Sequence, residues 1–137
     1  MGGKVLRLIG YWDGPEARDE GWPDVRGFVD PTLEAAEREM LVAYLRSGTH
    51  FVACAGFSLC RFCGASNGSS EQTDGEHFVW PEGLAHYVEA HGVGLPQEVR
   101  AVAARGPAAP LDAAGLELME SEDLDGDEAW WRGHVRT

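Results

Sequence analysis

Ser58-Leu59-Cys60-Arg61-Phe62-Cys63-Gly64 is the stretch on which the reading of this chain turns. Two cysteines two residues apart can present two thiolates to one tetrahedral ion, and the glycine that follows permits the positive φ with which such a knuckle closes. One pair supplies half of a tetrahedral shell. There is no second CxxC, so the remaining ligands must be His, Asp or Glu, and His86-x4-His91 offers two imidazoles at a spacing that zinc sites use. The full pattern is C-x2-C-x22-H-x4-H over Cys60, Cys63, His86 and His91. Its spacer is longer than that of a nucleic-acid-reading finger and contains a hairpin signal, with a turn at Asn67-Gly68 and a returning strand at 76–80. The pattern therefore points to a zinc-stapled domain.

The histidines carry an internal tension. Leu84, Tyr87, Val88 and His91 form one apolar stripe on the helix that follows Pro81, which makes His91 a core-facing residue, and His86 lies about 140 degrees away from it. Both reach one ion only if the helix end loosens, which Gly92 allows. Cys54 or His77 is an alternative to either histidine. A redox disulfide is the competing reading of the CxxC pair. Thiol oxidoreductases set that motif at a helix N-terminus, and Gly64, Asn67 and Gly68 argue against a helix there.

Outward from the knuckle, residues 4–12 read as a strand closed by Asp13-Gly14-Pro15, and 13–30 as an irregular loop pinned by Trp22 and Phe28. Asp30-Pro31 reads as a helix start. Leu33, Ala36, Met40, Leu41, Tyr44 and Leu45 then recur at helical spacing until Gly48. Residues 49–57 are β-rich and lead into the knuckle. Short helices are expected from Pro81 to Gly92 and from Leu95-Pro96 to about Arg105, before the breaker at 106–110. The expected fold is α+β, a small mixed or antiparallel sheet with one longer and two shorter helices, stapled by a zinc knuckle. At 137 residues the chain has the size of one domain, 1–137, with 106–137 as an acidic C-terminal strap or tail.

Eleven Lys and Arg stand against 23 Asp and Glu, a net charge of -12 that repels phosphate backbones and anionic lipid. Nucleic acid and membranes are excluded as direct partners, and a cationic protein is favoured. The run 5–9 is too short and too interrupted for a signal core, and the unpaired cysteine count suits a reducing compartment, so the cytoplasm is expected. Seven acids between Glu117 and Glu128 precede Trp130-Trp131. They could steer a basic partner that the tryptophans anchor, or the tryptophans could pack on the protein's own core.

Several motifs fail on inspection. Gly56-Phe57-Ser58-Leu59-Cys60 lacks the last glycine of a nucleophile elbow. His50 and Cys54 share a strand face but stand about 13 Å apart. Asp123-Leu124-Asp125-Gly126-Asp127 has Glu128 where a calcium loop needs glycine, and Asn67-Gly68-Ser69 is sufficiently explained as a turn.

Together with 58–64, the strings Asn67-Gly68-Ser69, Thr73-Asp74-Gly75 and Trp80-Pro81-Glu82-Gly83-Leu84-Ala85-His86-Tyr87-Val88 make the chain resemble a group of small uncharacterised bacterial proteins over about residues 20–100. That resemblance implies a shared domain and supplies no mechanism. The residues themselves favour a non-catalytic, zinc-stabilised protein-interaction module of inhibitor or immunity type. A zinc enzyme is the alternative, with Cys60, Cys63 and one histidine on the ion, an open fourth position, and Asp74, Glu76 or Glu82 as general base. A thiol redox protein with a reversible Cys60–Cys63 disulfide is the third class.

Overall fold

The computed structural model describes residues 4–14, 21–51, 59–67, 70–119 and 124–133. Within these, five strands form one mixed sheet: β1 (Lys4–Leu8), β2 (Thr49–Phe51), β3 (Glu71–Thr73), β4 (Phe78–Pro81) and β5 (Leu124–Asp127), in the order β2-β3-β4-β1-β5. The β2/β3 and β3/β4 pairs are antiparallel, whereas β1 runs parallel to both β4 and β5. The helices are α1 (Ala35–Ser47), α2 (Leu84–His91), α3 (Gln97–Ala103), α4 (Ala113–Met119) and α5 (Glu128–Arg132), with a 3-10 turn at Val25–Phe28. The fold is α+β.

Side-chain alternation along β4 divides the interior. Phe78 and Trp80 point into the larger core, which holds Ile9, Trp12, Phe28, Leu41, Leu45, Tyr87, Val88 and Trp131. Val79 points the other way, onto Leu6, Phe51 and Met119. Neighbours on one strand thus serve opposite faces of the sheet.

The expected helix after Asp30-Pro31 begins later, with Glu34 as N-cap. Asp30 closes a separate turn instead: its Oδ1 accepts from both the Thr32 N–H at 2.9 Å and the Thr32 hydroxyl, and its carbonyl accepts from the Leu33 N–H. Pro81 lies in β4 and not in the first turn of α2. Five helices stand where one longer and two shorter were expected. The two additional ones, α4 and α5, lie in the segment read as an acidic end.

Asp74, at the β3–β4 turn, organises the hairpin. Its Oδ2 accepts from the Tyr44 hydroxyl at 2.5 Å, and its Oδ1 accepts from the backbone N–H groups of Glu76, His77 and Phe78 at 2.8–3.1 Å. Burial pushes the carboxyl up, but the Tyr44 and backbone hydrogen bonds outweigh it and hold the group below its ordinary value. A depressed folded-state value stabilises the fold above the unfolded carboxylate range, and that contribution is lost as pH falls through the depressed value. Asp74→Asn is therefore expected to flatten the acid limb of the stability profile. Denaturant titrations between neutral and acid pH check this, and a wild-type-minus-variant difference that is independent of pH would refute it.

Candidate metal centre

The sequence 59–66 folds into a tight hairpin. Leu59 and Ser66 form an antiparallel bridge, the Cys60 N–H donates to the Ala65 carbonyl at 2.9 Å, and the Gly64 N–H returns to the Cys60 carbonyl at 2.9 Å. Gly64 takes φ 73, the left-handed turn that a side chain resists. The Phe62 N–H lies 3.4 Å from Cys60 Sγ as its donor.

The knuckle is tied to the body by residues beside it. The Arg61 N–H donates to the Tyr87 hydroxyl at 2.9 Å, and the Arg61 guanidinium donates to the carbonyls of Asp13 at 3.1 Å and Leu59 at 2.6 Å. Tyr87 comes from α2, the helix that carries both histidines. Burial pushes the Tyr87 hydroxyl up, so it stays protonated. The Phe62 ring lies over His91, centroids 4.7 Å apart.

α2 stays α-helical through His91 and ends in a left-handed cap. Gly92 adopts φ 66, its N–H reaches the carbonyls of both Val88 and Tyr87, and the Val93 N–H also turns back to Tyr87. These bonds come from residues beyond the helix and satisfy its last carbonyls, as a left-handed glycine cap does. His86 and His91 keep the offset of regular helical winding, and their side chains reach toward each other across it. Their ring centroids are 5.1 Å apart.

Cys60, Cys63, His86 and His91 converge, and one ligand atom from each lies within 4.8 Å of all the others. Cys63 Sγ is 3.4 Å from His86 Nε2. Metal–sulfur bonds of about 2.3 Å and metal–nitrogen bonds of about 2.0 Å in a tetrahedron put ligand atoms about 3.3–3.8 Å apart. The group needs to close by about an ångström at its widest to match that shell. His91 Nε2 is buried with no hydrogen-bond partner among the described residues, a costly state that coordination relieves. Burial, followed by the neighbouring His86, lowers the His91 pKa and favours the neutral ring that binds metals. This group could hold a metal ion.

No family model matches the chain, and neither curated proteins nor solved structures give a match. The site must be judged on its own geometry.

Cys54 lies outside the described residues. His77 sits on the β3–β4 turn with its Nδ1 3.2 Å from Asp74 Oδ2, and is not one of the four converging residues. Of the candidate bases, Asp74 is committed to Tyr44 and three backbone donors, and Glu76 is exposed. Glu82 accepts from the Ser70 N–H at 3.0 Å and, with His86, His50, Arg46 and Asn67, lines an open groove of about 480 Å³. His50 Nδ1 is 2.9 Å from Ser70 Oγ on that rim. Sequence reasoning missed Arg61 and Tyr87 as supports, because their pairing spans 26 residues and leaves no local pattern.

If His91 completes the shell, His91→Ala should weaken metal binding by about a hundredfold or more while leaving the Phe28–Trp131 core intact. Competition with a chromogenic chelator measures this. Unchanged affinity would make His91 a packing residue beneath Phe62.

Proposed function

We propose that this protein is a non-catalytic, zinc-stapled module that binds another protein of basic surface. The observation that carries the reading is the ligand count. Four protein donors, two sulfurs and two nitrogens, fill a tetrahedral shell and leave no position for water or substrate, which is how structural zinc sites differ from catalytic ones. Two thiolates with two imidazoles suit zinc over magnesium or calcium, which take oxygen ligands.

The partner class follows from charge. At -12 the chain attracts cationic surfaces and accelerates their approach. No helix among the described residues is long and apolar enough to cross a membrane. Leu59 and Phe62, 54% and 36% exposed, present apolar area on the rigid knuckle, where a partner could be held after electrostatic encounter.

The metal-enzyme alternative gains support from one feature, the groove shared by Glu82, His50 and His86. It requires one of the two histidines to leave the ion. X-ray absorption on the purified, zinc-loaded chain separates the readings: two sulfur and two nitrogen neighbours with about one zinc per chain support the closed site. A shell with an added oxygen favours the enzyme, and a protein that takes up no zinc sinks both.

A further inference from the structure

We propose that Cys63 is a redox-modification site whose thiolate is oxidised by a hydroperoxide, after which Cys60 closes a disulfide and the ion is expelled. The proposal rests on the zinc reading above and adds to it a means of release.

The two sulfurs are unequal. Cys60 is 4% exposed and belongs to the core, whereas Cys63 is exposed at the tip of the hairpin. Cys60 Sγ accepts the Phe62 N–H, a bond that draws electron density from the sulfur. An oxidant arriving from solvent therefore meets Cys63 first, and susceptibility of thiolates follows accessibility. Cys60 Sγ stands within 4.8 Å of Cys63 Sγ, close enough to act next. The hairpin that carries them is fixed by Gly64 and by the Cys60–Ala65 and Gly64–Cys60 hydrogen bonds, so the sulfurs remain neighbours when the ion goes.

The chemistry balances. The Cys63 thiolate attacks one oxygen of the hydroperoxide, the O–O bond breaks, and the alkoxide that leaves takes a proton from solvent, giving an alcohol and a Cys63 sulfenic acid. The Cys60 thiolate then attacks the Cys63 sulfur and expels hydroxide, which is also protonated. Two electrons pass from the two thiolates to one hydroperoxide. Zinc keeps only His86 and His91, half its shell, and dissociates.

Hydrogen peroxide is the probe, added to the full zinc-loaded chain with a chromogenic chelator present and dimedone as a sulfenic-acid trap. One zinc should appear per Cys60–Cys63 disulfide, early trapping should map to Cys63, and a thiol reductant with added zinc should restore the metal. Cys63→His keeps a donor at that position but cannot form the disulfide, so its release should slow by about tenfold or more. Zinc retained under peroxide, first trapping at Cys60, a disulfide that includes Cys54, or equally fast release from Cys63→His would each overturn the proposal. A chain that holds no zinc before peroxide is added fails the earlier reading instead, so the two failures are distinct.

Discussion

Cys60→Ser is expected to lower the melting temperature by about 10–20 °C, because metal affinity and folding free energy are linked and the loss of one ligand forfeits several kcal/mol of that coupling. The loss is large because a bound ion would tie the hairpin directly to α2. Without it the hairpin rests on the Arg61–Tyr87 and Arg61–Asp13 hydrogen bonds, the Phe62 ring contacts with His91 and Tyr87, and the packing of Cys60. It stops short of complete unfolding because Trp80, Tyr44, Leu41 and Leu45 are buried in a core that needs no metal. Thermal melts followed by circular dichroism test this, with a chelator-treated wild type alongside. The two should melt together, well below the zinc-loaded protein. If chelation leaves the wild type unchanged while Cys60→Ser falls, the cost is a packing defect at a buried thiol and the stapling role is wrong.

What the sequence disclosed depended on whether a pattern is local. The CxxCG knuckle, α1 and the strand at Phe78–Pro81 follow from spacing and apolar periodicity, which act within a few residues. β3 was illegible because its side chains are polar: Glu71, Gln72 and Thr73 are all buried. Gln72 Nε2 satisfies itself on the Gly48 carbonyl, and Thr73 Oγ1 donates to the Phe78 carbonyl. A strand whose buried polar side chains are satisfied by backbone carbonyls of other segments shows no apolar alternation of its own. β5 was hidden for another reason. Leu124–Asp127 reads as solvated charge, yet it pairs along β1 from Lys4 to Arg7 as an edge strand, where acids are tolerated and discourage further pairing. The four candidate ligands were legible by type and spacing. Their convergence was not, since it depends on the hairpin docking against α2 through Arg61 and Tyr87, a contact that spans 26 residues.

Trp131→Ala is expected to cost about 3–5 kcal/mol, the range for deleting a large aromatic from a packed interior. Trp131 is 0% exposed, stands 5.2 Å from both Trp12 and Phe28 between ring centroids, and donates its indole N–H to the Tyr11 carbonyl at 2.7 Å. Truncation leaves a cavity among those rings and removes the indole donor from the Tyr11 carbonyl. The damage should spread through the chain's end. α5 has five residues, too few to persist alone, and Trp131 is its one fully buried tether, beside the contacts of Trp130 with Phe78 and of Arg132 with Trp22. Asp127 caps α5 and is the last residue of β5, so loosening the helix loosens the edge strand on β1. Hydrogen exchange should accordingly rise at β5 before it rises at β3 or β4. Trp130 offers the internal control: it is half-buried with the Arg7 guanidinium 4.6 Å from its ring, and Trp130→Ala should cost about 1 kcal/mol. The opposite reading, in which Trp131 anchors a partner, expects unchanged stability and faster dissociation of a complex. A Trp131→Ala protein that melts with the wild type would favour that reading. A large loss of stability confines any recognition by this end to its exposed acids, whose contribution must then fade as salt shortens the screening length to about 3 Å at 1 M.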